Sequence, residues 1–292
     1  MSTEIDSAKK FEDLLNIKKH NTPYFYDKLF SADGWKAKSL SKKKFKLLKK
    51  IHNQIEAMLY EDETVCFLTS GVESSFVESF FLGNLMYYIN RRAFICTTQR
   101  IIIMQISSRN EPKSLRAQIE YSAIEEVRST LAGNCKIKFK NGKTSVFSHI
   151  PKDDRKVVKG VIDFLRTSPD AVGANSAMVE NLCPHCFVKV EGFPEKCQAC
   201  DKNFKSPAKA IWLSFIFPGL GDFYLGQHKT IAAFEILFML FVWISFFAPR
   251  AGEEPATLAG YIIGALIIIF TLHGFDALAT RHIARKGIYP AK

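Results

Sequence analysis

The sequence predicts a multi-domain α+β protein that ends in membrane helices. Three observations carry this. The apolar residues are concentrated: the 292-residue chain is soluble in character from Met1 to about Ala208 and overwhelmingly apolar from Ala210 to Phe275. Between Thr64 and Arg166, short alternating stretches follow one another and close on an amphipathic helix. Between these parts, Asn181–Asn203 reads NLCPHCFVKVEGFPEKCQACDKN, two CxxC pairs separated by ten residues.

The N-terminus, MSTEIDSAKKFEDLL, lacks a basic-then-apolar signal pattern, so no secretory peptide is expected. The formal charge of +11 is localised: residues 1–60, a basic helical region, carry thirteen lysines against seven acids. Within it, SKKKFKLLKKIHNQIEAMLY places Phe45, Leu48, Ile51, Ile55, Met58 and Leu59 along one helical side. Lys42, Lys43, Lys44, Lys46, Lys49 and Lys50 are candidates for contact with an anionic surface, each worth about 1 kcal/mol near anionic lipid. The alternative is that the apolar stripe docks on the following domain and the lysines are solvated. Nucleic acid is not an expected partner, because no reading helix and no interleaved stacking aromatics accompany the charge.

Residues 61–167 read as strands at Thr64–Ser70, Ser75–Leu82, Met86–Thr97, Arg100–Ile106, Ala117–Tyr121 and Ile124–Ser129. The hairpin KIKFKNGKTSVFSH follows, with Asn141-Gly142 as its tight turn. In the closing helix, PKDDRKVVKGVIDFLRT, Val157, Val158, Val161, Ile162 and Leu165 share one face. About seven strands and one C-terminal helix give a strongly bent, capped sheet. The words FICTTQRIIIM and IEYSAIEEVRST, through Thr97, Arg100, Ile119, Tyr121, Ile124 and Val127, resemble bacterial PH-like domains of the GRAM and YokE sort. That resemblance implies a PH-like β-barrel with a C-terminal helix, and binding to lipid or protein without catalysis. The first hairpin, TSGVESS, lacks the basic residues that phosphoinositide-reading members use there. Arg91 and Arg92 read either as an anion contact or as surface residues.

A linker over 168–181 precedes the cysteines. Cys183, Cys186, Cys197 and Cys200 have the spacing of two knuckles joined by a short hairpin, which arranges four sulfurs tetrahedrally around Zn²⁺. Residues 182–204 resemble the zinc-ribbon family, and the resemblance implies a closed, structural Zn²⁺ site with His185 as a knuckle residue. CPHC is also the signature of thiol oxidases with a thioredoxin fold. That reading needs one CxxC at a helix start inside a domain of about a hundred residues, and an oxidising compartment. The remaining cysteines, Cys66, Cys96 and Cys135, lie singly in strands as small buried side chains.

Residues 207–287 form the membrane module. Spans of about 230–248 and 256–275 suit a hydrocarbon core of about 30 Å as helix. Ala210–Gly221 is a third apolar stretch, broken by Pro218 and Gly219, and reads as interfacial or half-inserted. Lysines and arginines flank both outer ends of the pair, which predicts a cytoplasmic (inner) membrane protein with both termini cytosolic. Asp222, Glu235, His273 and Asp276 approach one level near that interface. They read as interhelical hydrogen-bonding groups or as a proton or metal site. Gly260 and Gly264 form a GxxxG that permits close helix approach. The words PGLGDFYLGQ resemble a small two-helix membrane module with the signature GxGxHRFYLG, and its bacterial variants reading PGLGQFYNGQ. Asp276 in GFDALAT matches the acidic residue of that family, while the His-Arg pair is missing.

No nucleophile with a base and no glycine-rich phosphate loop is visible in the sequence. The expected function is therefore a non-enzymatic, membrane-anchored adaptor that binds membrane lipid or a protein partner, with homo-oligomerisation open. The alternatives are a channel or transporter component built on the hairpin, and a thiol oxidoreductase using CPHC.

Overall fold

The structure is a computed structural model and describes residues 37–73, 90–130, 134–167, 179–226, 229–248 and 257–291. The predicted strand Ser75–Leu82, the start of Met86–Thr97 and residues 1–36 lie outside the described residues. So do 168–178 of the predicted linker. The chain divides into two units, Met1–Leu182 and Cys183–Lys292.

The first unit opens with helix α1, Ala37–Met58. An antiparallel sheet follows, built from β1 (Val65–Glu73), β2 (Arg91–Thr97), β3 (Arg100–Ile106), β4 (Pro112–Glu120), β5 (Ile124–Ser129), β6 (Cys135–Phe139) and β7 (Thr144–Ser148). Helix α2, Lys152–Arg166, and β8, Glu180–Leu182, complete the unit. The strand order is β5-β6-β7-β1-β2-β3-β4-β8. Among the described residues the hydrogen-bonded ladder is linear, an open antiparallel sheet. It is nonetheless curved, because Phe67, Phe94, Ile103, Ile119, Val127, Ile137 and Phe147, from seven different strands, share one core with Val158, Ile162 and Leu165 of α2. On α2, Val157 is exposed, so the face that meets the core is narrower than the periodicity suggests. Glu180 and Asn181, read as linker, belong to β8 and pair with Gln118 and Ala117 of β4.

The apolar stripe of α1 docks on the sheet. Leu47, Leu48, Ile51, Ile55 and Met58 are buried, and the helix packs on β1 and β4. Its C-terminal end is tied down by the β2–β3 turn. Thr97 Oγ1 accepts from the Arg100 N–H at 3.0 Å and donates to Glu63 Oε1 at 2.6 Å. The Arg100 guanidinium donates to both Glu63 oxygens at 3.0 Å, to the Met58 carbonyl and to Gln118 Oε1. Arg100 and Glu63 are both fully buried, and a buried charge pair persists only when its remaining hydrogen bonds are satisfied in this way. The threonine and arginine singled out in TTQR are thus a structural cross-link.

The second unit begins with the cysteine segment and β9, Lys189–Val190. Ser206 caps helix α3, Pro207–Ile216, its side chain accepting from the Lys209 N–H, with proline at the first turn. A turn at Pro218-Gly219 leads into α4, Leu220–Leu225, and then α5, Lys229–Phe247. After the second connection come α6 (Leu258–Ile268), a π-helical turn (Ile269–His273) and α7 (Gly274–Ala284), continuous with one another. Two stretches are long and apolar enough to cross a membrane, Lys229–Phe247 and Leu258–Ala284. The second is 27 residues long, about 40 Å at helical rise, and ends nine residues beyond the predicted span. A Cβ on Gly264 would meet the Phe246 ring at 2.7 Å, so this half of the GxxxG serves contact within the hairpin.

Candidate metal centre and the polar cluster of the membrane module

The two CxxC segments fold the same way. Cys183 N–H donates to the Val188 carbonyl at 2.9 Å and Phe187 N–H returns to the Cys183 carbonyl at 3.0 Å. Cys197 repeats this with Lys202 and Asp201, both at 2.9 Å. The residue four after each leading cysteine is left-handed, Phe187 at φ 61° and Asp201 at φ 57°. These two knuckles set the sulfurs face to face. Cys183 Sγ lies 3.7 Å from Cys200 Sγ, and Cys186 Sγ lies 3.6 Å from Cys197 Sγ. All four sulfurs lie within 4.8 Å of one another. Four thiolates on a tetrahedron of about 2.3 Å bond length stand about 3.8 Å apart, so the quartet has the size of a metal site.

Backbone N–H groups point at the sulfurs, as from His185 to Cys183 Sγ at 3.4 Å. Burial pushes the Cys183 thiol up to about 12. Burial acts in the same sense on Cys197, but the N–H groups of Cys200 and Ala199 and the neighbouring sulfurs outweigh it and bring that thiol down to about 7. The four cysteines fit a tetrahedral thiolate-binding ion and leave no protein ligand to spare.

What anchors this small element was not visible in its own sequence. Cys183, Val190, Cys197 and Phe204 share their core with Ile288, from the far end of the chain. Phe204 bridges to Pro290, Lys205 N–H donates to the Tyr289 carbonyl at 2.8 Å, and Ala291 N–H donates to the Asn203 carbonyl at 2.9 Å. Lys205 Nζ also caps α4 through the Leu225 carbonyl at 3.1 Å. The words GIYPA therefore clasp the cysteine segment to the base of the helices. The signal was a short apolar run just beyond the last helix, too brief to carry a period.

Among the helices of the second unit, Asp222 and Asp276 are held by different donors. Gly219 N–H donates to Asp276 Oδ2 at 3.0 Å. Thr280 Oγ1 donates to Asp222 Oδ1 at 3.3 Å, and so accepts from Ser214 Oγ at 2.7 Å. Glu235 lies within electrostatic range of both aspartates, and its Oε2 has no hydrogen-bond partner among the described residues. His273 is buried and employed otherwise. Its Nδ1 faces the Phe215 carbonyl at 3.0 Å and its Nε2 faces Trp243 Nε1 at 3.3 Å. A carbonyl only accepts and an indole N–H only donates, which makes His273 the neutral Nδ1–H tautomer. It staples α3, α5 and the π-helical turn together.

The six lysines divide. Lys42, Lys43, Lys46, Lys49 and Lys50 are exposed, and Lys50 meets Glu111 at 2.5 Å. Lys44 is not on the surface: it is buried against Asp154 at 2.7 Å and over the Phe67 ring. Arg92 is likewise no surface residue, but a buried partner of Glu73 at 3.2 Å. Arg91 stays at the margin, bonded to the Ser108 carbonyl and Ser70 Oγ.

No family model, curated protein or solved structure matches this chain. The functional reading therefore rests on the geometry above.

Proposed function

We propose that the protein is a membrane-anchored, non-enzymatic adaptor of the cytoplasmic face. Its sheet unit, of PH-like kind, binds a protein partner or anionic lipid, and Zn²⁺ in the cysteine quartet holds a structural ribbon. The observation that carries this reading is the clasp. Because Phe204 and Lys205 pair with Pro290 and Tyr289, the quartet is built into the base of the apolar hairpin. A metal knuckle used in this way supplies folding energy to a segment too small for its own core. It makes a firm mount, set in sequence between the sheet unit and the helices. Cys183 Sγ lies 3.7 Å from Cys200 Sγ of the other knuckle, which favours a closed tetrathiolate over a reactive CPHC dithiol. Lys205, Lys209 and Lys229 flank the start of the hairpin, and Arg281 sits near its end, which supports both termini in the cytosol.

A second reading, a transport component, is favoured by one observation: the Glu235 carboxylate beside Asp222 and Asp276 has an oxygen without a partner. In a bilayer, ionisable groups so placed mark functional sites.

The test is membrane fractionation of the full-length protein with a tag at each end, coupled to zinc analysis. Carbonate-resistant membrane association, both tags digested only from the cytosolic side, and one zinc per chain support the adaptor. Release by carbonate, or tags on opposite sides, would sink it. Glu235→Gln and Asp276→Asn separate the two readings: loss of a transport signal with normal folding and targeting favours the second.

A further inference from the structure

A groove of about 480 Å³ runs along the second unit between α3 and the second long apolar helix, Leu258–Ala284. Ile211 and Phe215 of α3, with Phe270 and Leu278 opposite them, form its walls. Gly274 opens its floor. A Cβ there would meet nothing closer than the Ile269 carbonyl oxygen of its own helix at 3.9 Å, so no neighbouring helix approaches this glycine. A glycine inside a helix costs about 1 kcal/mol relative to alanine, and here helix packing does not require it. What it leaves is room beside the backbone, as where a ligand approaches a main chain closely.

The charge of the groove sits at one end. Arg281 lines that end, exposed, and its guanidinium has no hydrogen bond or ion pair among the described residues. No carboxylate lines the groove. The Thr271 hydroxyl is satisfied within its own helix, donating to the Ile267 carbonyl at 2.5 Å. Dimensions narrow the occupant. Arg281 follows Leu258 by 23 residues, about 35 Å at helical rise, and so reaches past a hydrocarbon core of about 30 Å to headgroup level. Phe270 lies eleven residues before it, about 16 Å, close to half that core. The groove thus has the length of one leaflet, apolar along its depth and cationic where the phosphates of that leaflet lie. Guanidinium and phosphate pair through charge-assisted, often bidentate hydrogen bonds. Trp212 agrees with this level: it is exposed on α3, edge-on to Phe215 at 6.0 Å, and tryptophans collect at membrane interfaces. An apolar helix of a second copy would cover the walls but offer Arg281 no anion.

We infer that this groove holds one acyl chain of an anionic phospholipid, with the lipid phosphate on Arg281. The inference goes beyond the adaptor reading, which assigns lipid contact to the sheet unit, and rests on that reading for the membrane anchor.

The experiment uses the full-length protein in detergent, titrated with phosphatidylglycerol, with bound lipid counted by native mass spectrometry. Saturable retention of phosphatidylglycerol is expected, and weaker retention of phosphatidylcholine. Arg281→Gln should weaken retention by about tenfold or more. Gly274→Leu should do the same by filling the groove, and the open space at that position leaves the helix packing intact. Lys229→Gln removes one positive charge outside the groove and should leave retention unchanged. Absence of saturable retention, equal retention of phosphatidylcholine, or equal loss in Lys229→Gln overturns the inference. A wild-type dimer that Gly274→Leu dissociates without loss of lipid would assign the groove to a second copy and overturn it as well. Carbonate resistance and zinc content are read on the same variants, so failure of the groove is distinguishable from failure of the anchored adaptor.

Discussion

The backbone N–H of Gly219 donates to Oδ2 of Asp276 at 3.0 Å, joining the PGLG turn to the second long apolar helix. The turn needs glycine twice over. Gly219 has φ +85°, and a Cβ there would meet the Ala232 carbonyl oxygen at 2.7 Å. Gly219→Ala should therefore lower the stability of the helical unit by about 1–3 kcal/mol. Asp276→Ala leaves the N–H unpaired and should cost about as much. Asp276→Asn keeps an acceptor and should cost less. Thermal unfolding of detergent-solubilised protein, followed by size-exclusion chromatography, ranks the three; Gly219→Ala melting with the wild type would refute the account.

Metal binding should follow the thiols. Cys183, pushed up to about 12 by burial, must lose its proton to ligate, so affinity falls as pH falls and protons are released on loading. Serine at any one of Cys183, Cys186, Cys197 or Cys200 should abolish stoichiometric zinc. Serine at Cys66, Cys96 or Cys135 should not. Zinc analysis with a chromophoric chelator checks both statements, and retention of full zinc by Cys200→Ser would count against a tetrathiolate.

The C-terminal clasp should govern how tightly that metal is kept. Ile288 is buried with Cys183 and Cys197, and cutting it to alanine should cost about 2–5 kcal/mol by loss of packing. Ile288→Ala, or removal of 288–292, should speed zinc loss to a chelator without removing any ligand. An unchanged rate would mean that the knuckles stand alone.

Lys44 and Asp154 have side chains only 8% and 3% exposed. Breaking such a pair strands a buried charge, so Asp154→Ala should destabilise the first unit by about 3–5 kcal/mol. Lys44→Met with Asp154→Leu should recover most of the loss. Denaturant unfolding of the four-member cycle measures the coupling; additive single effects would show that the pair does not act as one.

The buried strand thiols give a pH signature of the opposite sense to acid unfolding. Burial pushes Cys135 from its ordinary 9.0 up to about 11, and Cys96 further still. A folded value raised above the unfolded one means that this contribution to stability is complete below about pH 9 and is lost as pH rises towards 11. Unfolding midpoints across that window should fall less in Cys135→Ala than in the wild type.

Several features were legible because they are local or periodic. The two apolar helices needed only composition and length. The cysteine quartet needed only spacing, since a CxxC knuckle is closed by hydrogen bonds within six residues. The Asn141-Gly142 turn was readable as glycine chemistry, and Gly142 has φ +80°. The stripes of α1 and α2 followed the helical period, except where Val157 fell just outside the buried arc.

What tertiary structure alone decided was the choice of distant partners. Lys44 belongs by pattern to a solvated lysine row, and only the placement of Asp154 takes it inside. Arg100 reads as a strand-end residue, and Glu63, 37 positions away, makes it a buried cross-link. Glu180 and Asn181 resemble linker because two or three residues carry no period, yet the free edge of β4 gives their backbone groups partners. The same holds for Ile288 and Tyr289. Local sequence determines which elements can form, because period, cap and spacing are short-range. Which buried group meets which depends on contacts between positions far apart in the chain, and these exist only once the elements have packed.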